Sequence, residues 1–150
     1  MKQIPPVLLF ILRLWIGLVF VYAGFSKLME PVENFRGIIA QYEVIPYALV
    51  PFLSVVLPWI EFIFGTFMIL GYATRLSALV LTALSFGFLM VLGSSQVLLG
   101  SVPVSCGCFG EGGIHLSVRQ IFVLDILNTA IGIKLFSIKN HPFSLDSRFK

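Results

Sequence analysis

Four apolar runs, each of about twenty residues, leave this 150-residue chain little choice of fold. A helix rises about 1.5 Å per residue, so a run of that length matches the hydrocarbon thickness of a bilayer. The spans are expected at about 4–28, 48–70, 76–97 and 116–136. Composition agrees, with 58% of residues hydrophobic and 11% charged, where a soluble domain is usually about a quarter charged. The net charge of +3 comes from scattered basic residues and forms no patch suited to nucleic acid. The first run is too long for a signal-peptide core and lacks a small-residue cleavage site, so it reads as a retained span. No repeat, low-complexity tract or long linker interrupts the chain. The expectation is an all-α membrane protein: a single four-transmembrane-helix bundle over residues 1–150, with a short interfacial helix between spans 1 and 2.

Each span carries one stripe of small or polar residues. Arg13, Gly17, Phe20, Gly24 and Lys27 share a face of the first span at alternating three- and four-residue spacing. Pro5 and Pro6 suit its start, where their missing N–H groups cost nothing. In the second span the stripe is Ser54, Pro58, Glu61 and Gly65, and the interior Pro58 should kink the helix. The third offers Ala78, Thr82 and Ser85, the fourth Asp125, Asn128 and Gly132. Between the first two spans, Val32, Phe35, Ile39 and Tyr42 fall on one side of a segment from Glu30 to Tyr47, the pattern of an amphipathic helix in the interface. The tail from Ser137 to Lys150 is polar and expected to fray.

Four crossings put both termini on one side, together with Lys2, Arg13, Arg75, Lys134, Lys139, Arg148 and Lys150. The other side holds Lys27, Arg36 and Arg119. The positive-inside rule therefore predicts cytoplasmic termini in a bacterial inner membrane, with the long loop before the fourth span on the outer face.

Charges at membrane depth are expensive and need partners. Counted from the cytoplasmic ends of their spans, Arg13 and Glu61 reach similar depth, which predicts an Arg13–Glu61 pair. Such a pair either pins helix register or lets Glu61 relay protons or orient a head group. Asp125 and Asn128 can bridge helices or line a proton or quinone pocket. Lys27 and Arg119 read as snorkelling anchors near the outer surface, or as cations that lower a thiol pKa.

The thiols in question are Cys106 and Cys108, the only two cysteines, separated by Gly107 in the long loop. They can bridge only if the backbone folds tightly back, since bridged Cα atoms usually sit about 4.4–6.8 Å apart. Gly107 removes a Cβ that would resist that turn, and Gly110 loosens the exit. So small a ring is strained, and strained disulfides are the labile or catalytic kind. An outer face is also where a dithiol can cycle through a disulfide. Cys106 and Cys108 are therefore the candidate catalytic residues. A metal site from Cys106, Cys108, His115 and Glu111 matches no standard zinc spacing, and no metal is expected.

Three segments carry a family resemblance: Gly24-Phe25-Ser26-Lys27-Leu28, Pro58-Trp59-Ile60-Glu61 followed by Gly65, and Cys106-Gly107-Cys108-Phe109-Gly110. In this order they resemble the DoxX-like family and, within it, the MauE-type methylamine-utilisation proteins. The cysteine pentapeptide is the specific part. The resemblance implies a four-helix membrane protein linked to periplasmic disulfide formation or thiol balance, with a periplasmic thiol or disulfide protein as partner. The layout is also similar to vitamin K epoxide reductase-type bundles, which makes a quinone a candidate cofactor. Those bundles space their cysteines two residues apart and add a second pair that this chain lacks. A membrane thiol–disulfide oxidoreductase is thus weighed against a non-enzymatic subunit or assembly factor of a larger membrane complex, with Cys106 and Cys108 as a structural clip.

Overall fold

A computed structural model of the chain describes residues 5–42, 44–99 and 117–138. These residues form five helices and no strand: α1 (Pro6–Met29), α2 (Val32–Ala40), α3 (Val50–Leu70), α4 (Thr74–Leu99) and α5 (Val118–Ser137). All but the nine-residue α2 are long and apolar enough to cross a membrane. Their bounds follow from local chemistry. Pro6 opens α1 at a position that needs no N–H donor. Glu30 ends it because Pro31 pushes its neighbour out of the helical region, to φ −95° and ψ 156°. Gly71 closes α3 in the left-handed conformation at φ 71°, its N–H donating to the Phe67 carbonyl. At the start of α5, the Gln120 side-chain oxygen accepts from the Ser117 backbone N–H at 2.9 Å.

The stripes read from the sequence face inward. Arg13, Gly17, Phe20, Gly24 and Lys27 are buried on α1, as are Ser54, Pro58, Glu61 and Gly65 on α3. Apolar side chains such as Leu18, Phe25, Phe52, Trp59, Met90 and Val123 stay exposed, as a lipid-facing surface requires. One core cluster joins Leu9, Ile16, Phe20, Met68, Ala78, Leu81 and Leu135. A second, at the end of the bundle where α2 lies, joins Ile38, Tyr42, Leu92 and Ile121. The short helix expected between spans 1 and 2 is therefore present and packs onto the bundle. Phe35, Ile39 and Tyr42 bury as anticipated, while Val32 stays 44% exposed.

Helices α1 and α3 approach closely through glycines. A Cβ on Gly24 would lie 2.6 Å from the Phe62 nitrogen and 2.7 Å from the Pro58 oxygen. One on Gly65 would lie 2.8 Å from the Val21 nitrogen. Small residues allow this contact where lipid supplies no hydrophobic drive between helices. Gly24→Val should accordingly lower the melting temperature in detergent, at about 1–3 kcal/mol for forced overpacking. Gly93, where a Cβ meets nothing within 4 Å, supplies the control: Gly93→Ala should be neutral or stabilising. Equal losses in both variants would mean that helix propensity, not the seam, sets the effect.

Candidate functional site

The register of that seam decides which charges meet. Gly24 lies against Pro58 and Phe62, so Glu61 is nearly level with it. Lys27 stands one turn further along α1, and helical side chains lean toward the N-terminus. The lean carries its ammonium back to Glu61. Lys27 Nζ donates to both carboxylate oxygens, at 2.8 Å to Oε1 and 2.7 Å to Oε2. Both residues are essentially shut off from solvent, 2% and 1% exposed. The ammonium also lies 4.9 Å from the centroid of the Phe35 ring and 5.3 Å from that of Phe88.

The expected Arg13–Glu61 pair is not formed, and the reason is the same register. Gly17 sits against Gly65 and Ile69, which puts Arg13 level with the end of α3. From there to Glu61 is roughly 14 Å along the axis, beyond an arginine's reach. Depth counted from helix ends failed because α1 extends past α3. Arg13 is buried instead toward the opposite end of α1, its guanidinium 5.4 Å from the Phe10 ring centroid. Lys27 is likewise no snorkelling anchor, whereas Arg119 is exposed in the first turn of α5.

Asp125 and Asn128 join the Lys27–Glu61 pair from α5. They line a void of about 20 Å³ together with Glu61, Phe20, Ala23 and Phe88. Asp125 is 7% exposed and Asn128 2%. Asp125 Oδ2 and Asn128 Oδ1 are buried without a hydrogen-bond partner. The inward stripes of α1, α3 and α5 thus converge on one intramembrane cluster; Lys27 lies on the stripe expected for it, and what fails is its reading as an anchor near the outer surface. Its signal was present: the Gly24–Leu28 and Pro58–Glu61 segments face each other across the seam. Phe88 carried no such signal.

A second space, a cavity of about 330 Å³, opens between α2, α3, α4 and the turn at 44–49. Phe35 and Phe88, the rings under the Lys27 ammonium, form part of its wall, with Tyr42, Leu53 and Leu92. Burial pushes the Tyr42 phenol up to about 12, so it stays a neutral hydroxyl at physiological pH. Otherwise the lining is carbon and fits a hydrocarbon chain. Among the described residues it lacks the paired donors that would fix two quinone carbonyls.

Cys106, Cys108, Glu111 and His115 lie outside the described residues, as does the tail beyond Ile138. The C-terminal part of α4 and the N-terminal part of α5 pack at the end of the bundle where α2 lies, through Leu92 and Ile121.

Comparison with known proteins covers both parts of the site. The sequence profile of a family described as "Methylamine utilisation protein MauE" matches residues 5–136. The methylamine utilization protein MauE of Paracoccus denitrificans is 30% identical over 133 residues, which span 88% of this chain and 70% of that protein. No solved structure matches. The matched region contains the helical cluster and the cysteine pair alike.

Proposed function

The chain belongs to the MauE family, and from that premise we propose that it is a membrane thiol–disulfide redox protein of methylamine utilisation, working through Cys106 and Cys108. The observation that carries this reading is the Cys106-Gly107-Cys108 sequence, the chain's only cysteines, set in the connection between two membrane-crossing helices. The wider DoxX-like likeness supports the same link to thiol balance. In this reading the protein lies in the bacterial inner membrane with cytoplasmic termini, and the cysteines face a periplasmic partner carrying a thiol pair.

The exchange needs no external reagent. A partner thiolate attacks one sulfur of the Cys106–Cys108 disulfide, forming a mixed disulfide and releasing the other cysteine as a thiolate. The partner's second thiolate then attacks its own sulfur in that mixed bond and releases the dithiol. Two electrons and two protons pass from partner to this chain, and the reverse sequence returns them. Arg119 is the exposed cation near in sequence that could hold a thiolate, because Lys27 is committed to Glu61.

Redox titration of the purified protein, read as mass added by a thiol-alkylating reagent, tests the proposal. The pair should titrate as a two-electron couple with a midpoint well above roughly −300 mV, the level below which structural disulfides usually lie. A pair that stays oxidised in strong reductant would instead mark a structural clip in a subunit or assembly factor.

A further inference from the structure

The cluster on α1, α3 and α5 has one acid more than it has bases. Lys27 supplies one positive charge, and two of its three N–H donors are taken by Glu61. The ammonium otherwise faces the Phe35 and Phe88 rings. Asp125 is a second carboxyl group at the same void, with Oδ2 buried and unpartnered. Among the described residues, no other cation comes close on the elements packed there. On α2 the charged Glu33 and Arg36 are exposed, as is Arg119 on α5, and α4 contributes Phe88. Arg13 lies toward the other end of α1. An unneutralised carboxylate inside a membrane is expensive and is expected to hold a proton or find a counter-charge.

We propose that the void between Glu61, Asp125 and Asn128 is an intramembrane site for one exchangeable proton, held on Asp125 with a water molecule. The size of the void selects this guest. About 20 Å³ accommodates a single water, which needs roughly 10–15 Å³ on this measure, and leaves no room for an organic ammonium ion. The chemistry of the lining agrees. Asp125 Oδ2 and Asn128 Oδ1 are acceptors without donors, and a protonated Asp125 plus one water supplies three O–H groups. Turning the Asn128 amide would bring an N–H to the void but no charge, so the proton is still required. The site is independent of the cysteine reading, since it uses neither thiol.

Dicyclohexylcarbodiimide, an apolar reagent, tests the site in full-length protein reconstituted into liposomes. A protonated carboxyl adds across its C=N bond, and the acyl group then shifts from oxygen to nitrogen. The product is a stable N-acylurea and nothing leaves. Peptide mapping by mass spectrometry should find the adduct on Asp125 at neutral pH. Labelling should fall about tenfold per pH unit once the proton is leaving. Glu61→Gln removes one acid, leaves Lys27 to neutralise Asp125, and should suppress the adduct; an isolated protonated aspartate would be labelled as before. Infrared spectra supply a reading that does not depend on that variant's folding. The protonated-carboxyl C=O band of the native protein should disappear in the near-isosteric Asp125→Asn. A native protein without that band, or labelling abolished by sodium ions at constant pH, would overturn the proposal, the latter in favour of a metal cation.

Discussion

Glu61→Gln should lower the unfolding free energy of the detergent-solubilised protein by about 3–5 kcal/mol, the usual loss when one partner of a buried ion pair is removed. Lys27 is 2% exposed and donates to both Glu61 oxygens, so its ammonium would lose both bonds to that carboxylate at once. Lys27→Met should be comparably damaging, because it leaves the Glu61 charge at membrane depth. The double variant Lys27→Met with Glu61→Leu should recover most of the loss. Apolar residues of similar volume often replace a buried pair at no net cost. Thermal or denaturant melting of all three variants gives the coupling energy directly. The cycle also discriminates between partners. Arg13 and Glu61 are roughly 14 Å apart along the axis, so Arg13→Leu and Glu61→Gln should add to within about 0.5 kcal/mol. Additive Lys27 and Glu61 effects, or strong coupling to Arg13, would contradict the observed register.

That register marks the boundary of what the sequence could tell. The four spans were legible because about twenty apolar residues have one structural use in a bilayer. Inward stripes were legible too: Asp125, Asn128 and Gly132 on α5 are buried at the spacing that their helix dictates. Pairing across helices was not. It depends on where two axes touch, and here contact is set by Gly17 and Gly24 of α1 against α3 with its Gly65, and no intrahelical period positions glycines of one helix relative to those of another. Side-chain lean then matters as much as depth, moving the Lys27 ammonium about a turn toward the bundle interior. The segment from Glu30 to Tyr47 shows a related limit. Its amphipathic pattern announces one buried face, but the same pattern suits a membrane interface and a protein cap. Burial of Ile38 and Tyr42 against Leu92 and Ile121 adds the packing on the bundle through residues more than forty positions away, which the local pattern does not name.

Cys106→Ser and Cys108→Ser should each abolish activity in a partner-oxidation assay, which would be a larger effect than any stability loss above. The chemistry gives the two cysteines unequal roles. One accepts the partner's thiolate and becomes part of the mixed disulfide, and the other completes the internal bond. A chain with only the accepting cysteine can still be captured by a partner disulfide but has no neighbour to release it. One of the two variants should therefore accumulate a covalent adduct with its partner, visible on non-reducing gels and discharged by reductant. The other should show none. Gly107→Pro should be similarly damaging although it removes no sulfur, because proline fixes its own φ and restricts Cys106 before it. A structural clip makes the opposite forecast: lowered melting temperature in both serine variants, no adduct in either, and partner oxidation retained in proportion to folded protein. Arg119→Gln separates thiolate stabilisation from simple anchoring. If its charge holds the thiolate, the pH at which the reduced pair becomes reactive toward an alkylating reagent should rise while the melting temperature stays unchanged. An unchanged alkylation profile would leave Arg119 as an exposed helix-end residue and place the thiolate's stabilisation within the loop itself.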